Sequence, residues 1–185
     1  MKQHKYLKIT ISLILLIALI TAASIFLSYN VLKVRTFSYE TDKAVDPVRA
    51  VVISDLHEHE FGKDSAAAAP EDVKNFLMDF QDTDRLKIMM AHRPDSFIFG
   101  DAASVWDVDL VVSGHDHGGQ VVVPFAGGVF GGDQGYFPKY VHGMYEKDRL
   151  HLFVSSGLGS ANEPLPRVNN LPEVAVVEIE KSTQT

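Results

Sequence analysis

Residues 9–32, ITISLILLIALITAASIFLSYNVL, carry no charged side chain. No other feature of the chain restricts its fold as strongly. A run this apolar must lie in lipid or in a large core, with its backbone polar groups satisfied internally. As a helix its 24 residues reach about 36 Å, enough to cross a hydrocarbon layer of roughly 30 Å with some tilt. Lys2, Lys5 and Lys8 precede the run, and Lys33 and Arg35 follow it. The amino terminus adds one more positive charge in front. The positive-inside rule then favours a single-pass protein of the cell membrane, N-terminus in, with its body extracytoplasmic. A cleaved signal peptide is the competing reading, since Thr21-Ala22-Ala23-Ser24 offers small residues after a short apolar core. The apolar run continues through Ile25, Phe26 and Leu27, which favours an uncleaved anchor. No twin-arginine pair is present.

The expected organisation is a cytoplasmic N-terminus over 1–8, a transmembrane anchor over 9–32, a polar stalk over 33–47 leading to an edge strand, and a folded domain over 48–181. At 185 residues this is one domain plus the anchor. The absence of cysteine excludes disulfides, thiolate metal sites, a cysteine nucleophile and a lipoprotein anchor. Charge is uneven: beyond residue 40 the chain holds 12 basic against 23 acidic groups. So acidic a body should not bind long nucleic acids by bulk electrostatics. A metal would still draw a phosphate locally.

Within the body, short apolar runs end abruptly in polar ligand types. Ala50-Val51-Val52-Ile53 reads as a buried strand running into Ser54-Asp55-Leu56-His57. Leu86 to Ala91 is a second apolar run, stopped at His92-Arg93-Pro94. The third, Val108 to Val112, ends in Ser113-Gly114-His115-Asp116-His117-Gly118-Gly119-Gln120. It reads as a buried strand delivering two imidazoles to a tight turn, where open α/β sheets place their chemistry. A surface loop that happens to hold histidines is the plainer alternative. Between the first two runs, Pro70 suits a helix start, and Val73, Phe76, Leu77 and Phe80 give one apolar face.

After the third run, Val121 to Phe125 reads as a strand. Gly127 to Gly135 forms a glycine-rich loop without nucleotide-binding spacing, better read as a flexible wall of a site. Tyr140 to Tyr145 and Leu150 to Ser155 read as a hairpin, Gly157 to Pro166 as a loop, and Val174 to Ile179 as a terminal strand.

Four histidines and an aspartate at strand ends suit a hard or borderline divalent ion such as manganese, iron or zinc. In an extended chain, residues two apart point to the same side. Asp55 with His57, and His115 with His117, are therefore each expected to face one metal cluster.

These residues resemble the calcineurin-like metallophosphoesterase family, and in particular its membrane-anchored bacterial branch. The matches are Asp55-Leu56-His57, Ala91-His92-Arg93-Pro94 and Gly114-His115-Asp116-His117 with Gly118-Gly119-Gln120 behind it. Lys139-Tyr140, Gly143-Met144-Tyr145 and Ser155-Ser156-Gly157-Leu158-Gly159 match its later signature. The resemblance covers about residues 48–180 and implies an α/β/β/α sandwich, here truncated and preceded by one transmembrane helix. It implies two divalent ions, the first held by Asp55, His57 and His117 and the second by His92 and His115. The implied reaction is phosphoester hydrolysis by a metal-bound hydroxide.

The chain departs from the family pattern in its middle. The family's Gly-Asp, whose carboxylate bridges the ions, and its Gly-Asn-His have no counterpart in the 36 residues between Asp55 and His92. Gly100-Asp101 and Gly132-Asp133 occur after His92, out of order, and Gly100-Asp101 reads as the loop before the third strand. The internal deletion is placed near 64–70, around Ala66 to Ala69. Two readings follow. One is a membrane-anchored metal-dependent phosphoesterase. The other is a metal-binding remnant holding one ion, without turnover. His59 reads as part of a polar loop, Arg93 as a phosphate contact or an ion-pair partner, and His142 and His151 as structural.

Overall fold

The structure is a computed structural model that describes residues 2–43, 46–52, 78–100, 102–147, 149–159 and 165–182. The apolar run forms helix α1, Lys2–Asn30. Its segment Gln3–Asn30 is long and apolar enough to cross a membrane. The expected stalk is largely something else. Lys33–Thr41 is strand β1, and it pairs in parallel with the C-terminal strand β9, Glu173–Lys181. Strand β2, Val48–Val52, pairs antiparallel on the other side of β9. β9 is thus the centre of a three-stranded sheet ordered β1-β9-β2.

The second sheet contains β3 (Ile88–Met90), β4 (Leu110–Ser113), β7 (Gly143–Lys147) and β8 (Leu150–Val154), in the order β3-β4-β8-β7. β3, β4 and β8 run parallel, and β7 returns antiparallel as the expected hairpin. Two short strands, β5 (Val122–Val123) and β6 (Gly127–Gly128), make a separate small hairpin.

The two larger sheets pack face to face. Tyr39, Ala175, Val177 and Ile179 from the first meet Leu110 and Phe153 from the second. Phe37 and Phe153 pack with ring centroids 4.8 Å apart and planes tilted by 56°. The other face of the second sheet buries Val111, Leu152 and Val154 against Phe97 and Ile98 of the short helix α2, Asp95–Ile98. Ala102 and Ala103 of α3, Ala102–Val105, flank them. The outer face of the first sheet leaves Val34 largely exposed and carries an Arg49–Glu178 ion pair further along. The body is therefore a mixed α/β sandwich, consistent with a truncated metallophosphoesterase fold. Of the expected helix from Pro70, only the turn at 78–81 falls among the described residues.

Strand direction decides which ends meet. β2 runs toward the start of β9, its last residue Val52 pairing with Ala175. Glu173 N, at that start, donates to Gly157 O just beyond β8. Since β8 is parallel to β4 and β4 to β3, the C-terminal ends of β2, β3 and β4 converge on one end of the sandwich.

Candidate metal centre

The β3–β4 ladder continues past the strands. Ala91 N donates to Val112 O at 3.0 Å, and Gly114 N donates to His92 O at 3.1 Å. This carries His92 and His115 to the same point. Their rings stand 5.0 Å apart, centroid to centroid, in an edge-on arrangement at 69°. His92 is exposed and His115 half-buried.

His117 does not join them on one side of an extended segment, as alternation led us to expect. The backbone here winds through left-handed conformations, with φ of 77° at His115 and 47° at His117. Between them Asp116 has φ −83° and ψ 2°. The same-side rule holds only for extended backbone, so alternation does not govern this pair. His117 is 4% exposed. Its carbonyl accepts from Asn170 Nδ2 at 2.6 Å and Arg167 Nη1 at 3.4 Å. Its Nδ1 lies 3.3 Å from Arg167 Nη2.

Close packing explains why glycines follow. A Cβ on Gly119, which has φ +84°, would lie 2.5 Å from Gly128 Cα. The glycine-rich loop does form a wall: a Cβ on Gly132 would come within 3.3 Å of both His115 Nε2 and Asp116 Oδ1. Buried Asp116 is tied to that loop, its Oδ2 accepting from Gln134 Nε2 at 2.6 Å.

Arg167 and Asn170 carry no role in the sequence reading, yet both grip this turn. Arg167 is fully buried. Besides His117, it donates to the carbonyls of Ser156, Gly157 and Gly159 at 2.6, 3.2 and 2.9 Å. Main-chain acceptors leave no trace in composition. The only sequence signal was an arginine set in an otherwise unremarkable loop.

Other candidates fall as follows. Asp55, His57, His59 and Asp101 lie outside the described residues. Arg93 Nε is 3.7 Å from Asp95 Oδ2, the ion-pair alternative. His151 packs on Tyr39 at 4.7 Å between ring centroids. His142 contacts Arg35 and Glu173.

Tested as metal donors, the described residues fit in part. The adjacent imidazoles of His92 and His115 present two borderline donors at one edge, open to a third. The Arg167 guanidinium stands 3.3 Å from His117 Nδ1, so a cation at that nitrogen would meet a positive charge. Among the described residues no group of three or more His, Asp or Glu is assembled.

Three curated relatives match the chain. It is 37% identical to the uncharacterized metallophosphoesterase YkuE of Bacillus subtilis (strain 168) over 102 residues, covering 55% of this chain and 33% of the relative. It is 34% identical to the phosphodiesterase YaeI of Escherichia coli (strain K12) over 94 residues, covering 50% of this chain and 32% of that protein. It is 37% identical to the uncharacterized metallophosphoesterase Cj0846 of Campylobacter jejuni over 99 residues, covering 53% and 24%. The chain therefore spans about a third or less of the relatives it matches. No family model matches the chain. No solved structure matches it either. Over about half of its length the chain is thus similar to two proteins named as metallophosphoesterases and one named as a phosphodiesterase.

Proposed function

We propose that this chain is a membrane-anchored, divalent-metal-dependent phosphoesterase, with Asp55, His57, His92, His115 and His117 as its metal donors. The observation that carries the reading is the approach of His92 and His115 to 5.0 Å at the ends of two parallel strands. Relatives named as a phosphodiesterase and as metallophosphoesterases support the reaction class. The convergence of β2 with β3 and β4 supports recruiting Asp55 and His57 to the same end.

A bound divalent ion would polarise a phosphoryl oxygen and acidify a water molecule. The protein's part is to hold the His92 and His115 imidazoles beside each other, to close the site with the glycine-rich loop, and to place Arg93 within reach of phosphate. Helix α1 supports the anchor, and the lysines at positions 2, 5 and 8 support the N-in orientation. The stretch 33–47 joins anchor to body, and the acidic body argues against long nucleic acids as partners.

A second reading is a metal-binding remnant without turnover. It is supported by the Arg167 contact at His117 Nδ1. Metal content separates the two. The full chain, purified in detergent, would be loaded with manganese, dialysed and measured by plasma mass spectrometry together with hydrolysis of an aryl phosphodiester. The enzyme reading expects retained metal and metal-dependent hydrolysis. Retained metal with no hydrolysis above a His115→Ala control establishes the remnant. No retained metal rejects both. Truncation to residue 41 onward is unsuitable, because it deletes β1 from the sheet.

A further inference from the structure

The last turns of α1 are fastened to the body. Asn169 N donates to Ser24 Oγ, and Ser28 Oγ donates to Asn170 O at 3.3 Å. Lys33 N then donates to Pro172 O at 2.9 Å. The body segment 169–172 therefore runs alongside the helix in the same direction, with Asn169 at the level of Ser24. At 1.5 Å per residue, that level lies about 9 Å before the end of α1 at Asn30. A part of the body that reaches it sits at or below the lipid headgroups when α1 spans a bilayer.

The β5–β6 hairpin stands at this level. Asn169 Nδ2 donates to Val122 O at 3.2 Å, and a parallel bridge joins Val121 to Val168. A cavity of about 590 Å³ lies between the hairpin base, α1 and the start of β1, lined by Ser24, Leu27, Lys33, Arg35, Val122 and Gly128 among others.

The hairpin is apolar throughout. Val121-Val122-Val123-Pro124-Phe125-Ala126-Gly127-Gly128-Val129-Phe130 holds no polar side chain. A turn facing water is ordinarily rich in Asn, Asp and Ser. Yet residues 123–127 are all exposed, and Phe125 completely so. Tyr136 and Phe137 extend the patch at the hairpin base. Phe137 N donates to Val129 O, and Tyr136 packs on Phe130 with ring centroids 5.8 Å apart, both residues remaining exposed.

The backbone holds these rings outward against its own preference. Ala126 N donates to Val123 O at 3.1 Å, closing a four-residue turn with Pro124 second. Phe125, third, has φ 67°. Proline second and a positive φ third make a type II turn, where glycine is favoured third. Phe137 is likewise exposed at φ 54°. Neither ring serves the core, so folding does not account for a phenylalanine at either position. An apolar environment outside the protein does.

We propose that the β5–β6 hairpin is a second membrane contact, its Phe125 tip entering the boundary between headgroups and acyl chains beside α1. Tyr136 and Phe137 lie at headgroup level, where aromatic side chains are favoured. The occupant is the bilayer, because the patch is continuous with the apolar helix through Asn169 and Ser24. The contact presupposes that α1 spans the membrane, as proposed above. It turns toward the lipid the end of the sandwich at which β1 begins, Lys33 pairing with Glu173. That is also the end where β2, β3 and β4 finish.

The single tryptophan, Trp106, precedes β4 at the opposite end of the sandwich and serves as the reference. The full chain carrying Phe125→Trp with Trp106→Phe, and the parent, would be reconstituted into phosphatidylcholine–phosphatidylglycerol vesicles with brominated acyl chains. Flotation after a carbonate wash reads the anchor. The introduced indole should lose at least about half of its emission to the bromines, as fits a side chain roughly 5–10 Å into the boundary, and should resist aqueous iodide. Trp106 in the parent should do the reverse. If the double variant folds poorly, Phe125→Trp with Trp106 kept gives the same answer by difference. A chain that floats while its introduced indole answers to iodide and not to bromine overturns the contact and leaves the anchor standing. Equal bromine quenching in parent and variant also overturns the contact. Failure to float overturns both.

Discussion

Arg167 Nη2 stands 3.3 Å from His117 Nδ1, and the same guanidinium holds three carbonyls of the loop after β8. One buried cation thus locks the second histidine of the Gly-His-X-His motif to the neighbouring loop. His115 stands beside His92, ring centroids 5.0 Å apart.

Removing that cation should unfasten both segments. Arg167→Met leaves several buried carbonyls without donors, so unfolding stability should fall by about 3 kcal/mol or more. Arg167→Lys should recover little of this, because an ammonium lacks the planar fork that reaches several carbonyls at once. Urea unfolding of the detergent-solubilised chain, followed by the near-ultraviolet signal of the body, measures both. A lysine variant as stable as the parent would show that charge alone suffices.

The turn itself is tested by Gly119→Ala. A methyl group would meet Gly128 Cα at 2.5 Å in a backbone with φ +84°. Both the clash with main chain and the left-handed conformation oppose it, and a loss of about 2–4 kcal/mol is expected. The same substitution at Gly127, where a Cβ meets nothing within 4 Å, adds no clash. It should cost only the conformational part, about 1–2 kcal/mol. Equal losses at the two positions would contradict the close approach of the two loops.

Acid stability should depend on Asp107. Its pKa is lowered, first by the hydrogen bond from Lys87 and then by nearby positive charges, while burial acts the other way. The Lys87 ammonium is buried and lies 2.6 Å from the carboxylate. A depressed carboxyl stabilises the fold above its unfolded pKa, about 3.9, and the contribution is lost as pH falls through the lower folded value. Asp107 is half-exposed, so after solvent screening the pair is worth on the order of 1 kcal/mol. Asp107→Asn should lower stability at neutral pH by that amount and flatten the decline below about pH 4. Thermal unfolding across pH 2–7 reads it, and an unchanged acid limb would count against the pairing.

Much of this fold is written in local pattern. The uncharged run gives α1, and Leu110 to Val112 and the Gly143–Lys147/Leu150–Val154 hairpin fall where apolar runs and turn residues place them. β1 was harder to see. Its partner β9 lies at the far end of the chain, and its inward positions begin with Lys33 and Arg35, which face the cavity rather than the core. Only Phe37, Tyr39 and Thr41 reach the packed interior. At the candidate site, the family resemblance pairs His92 with His115, whose rings stand 5.0 Å apart. The alternation argument assumes extended backbone, and three successive residues at 115–117 leave that region. Arg167 and Asn170 act on main-chain carbonyls, so nothing in their side-chain chemistry singles them out.

The most direct measurement is manganese-dependent hydrolysis of an aryl phosphodiester by the full chain, compared with His92→Ala and His115→Ala. The account predicts metal-dependent turnover in the parent and a loss of about a hundredfold or more in each variant, with the fold retained because neither histidine is deeply buried. Hydrolysis by the parent that is indistinguishable from both variants would contradict it.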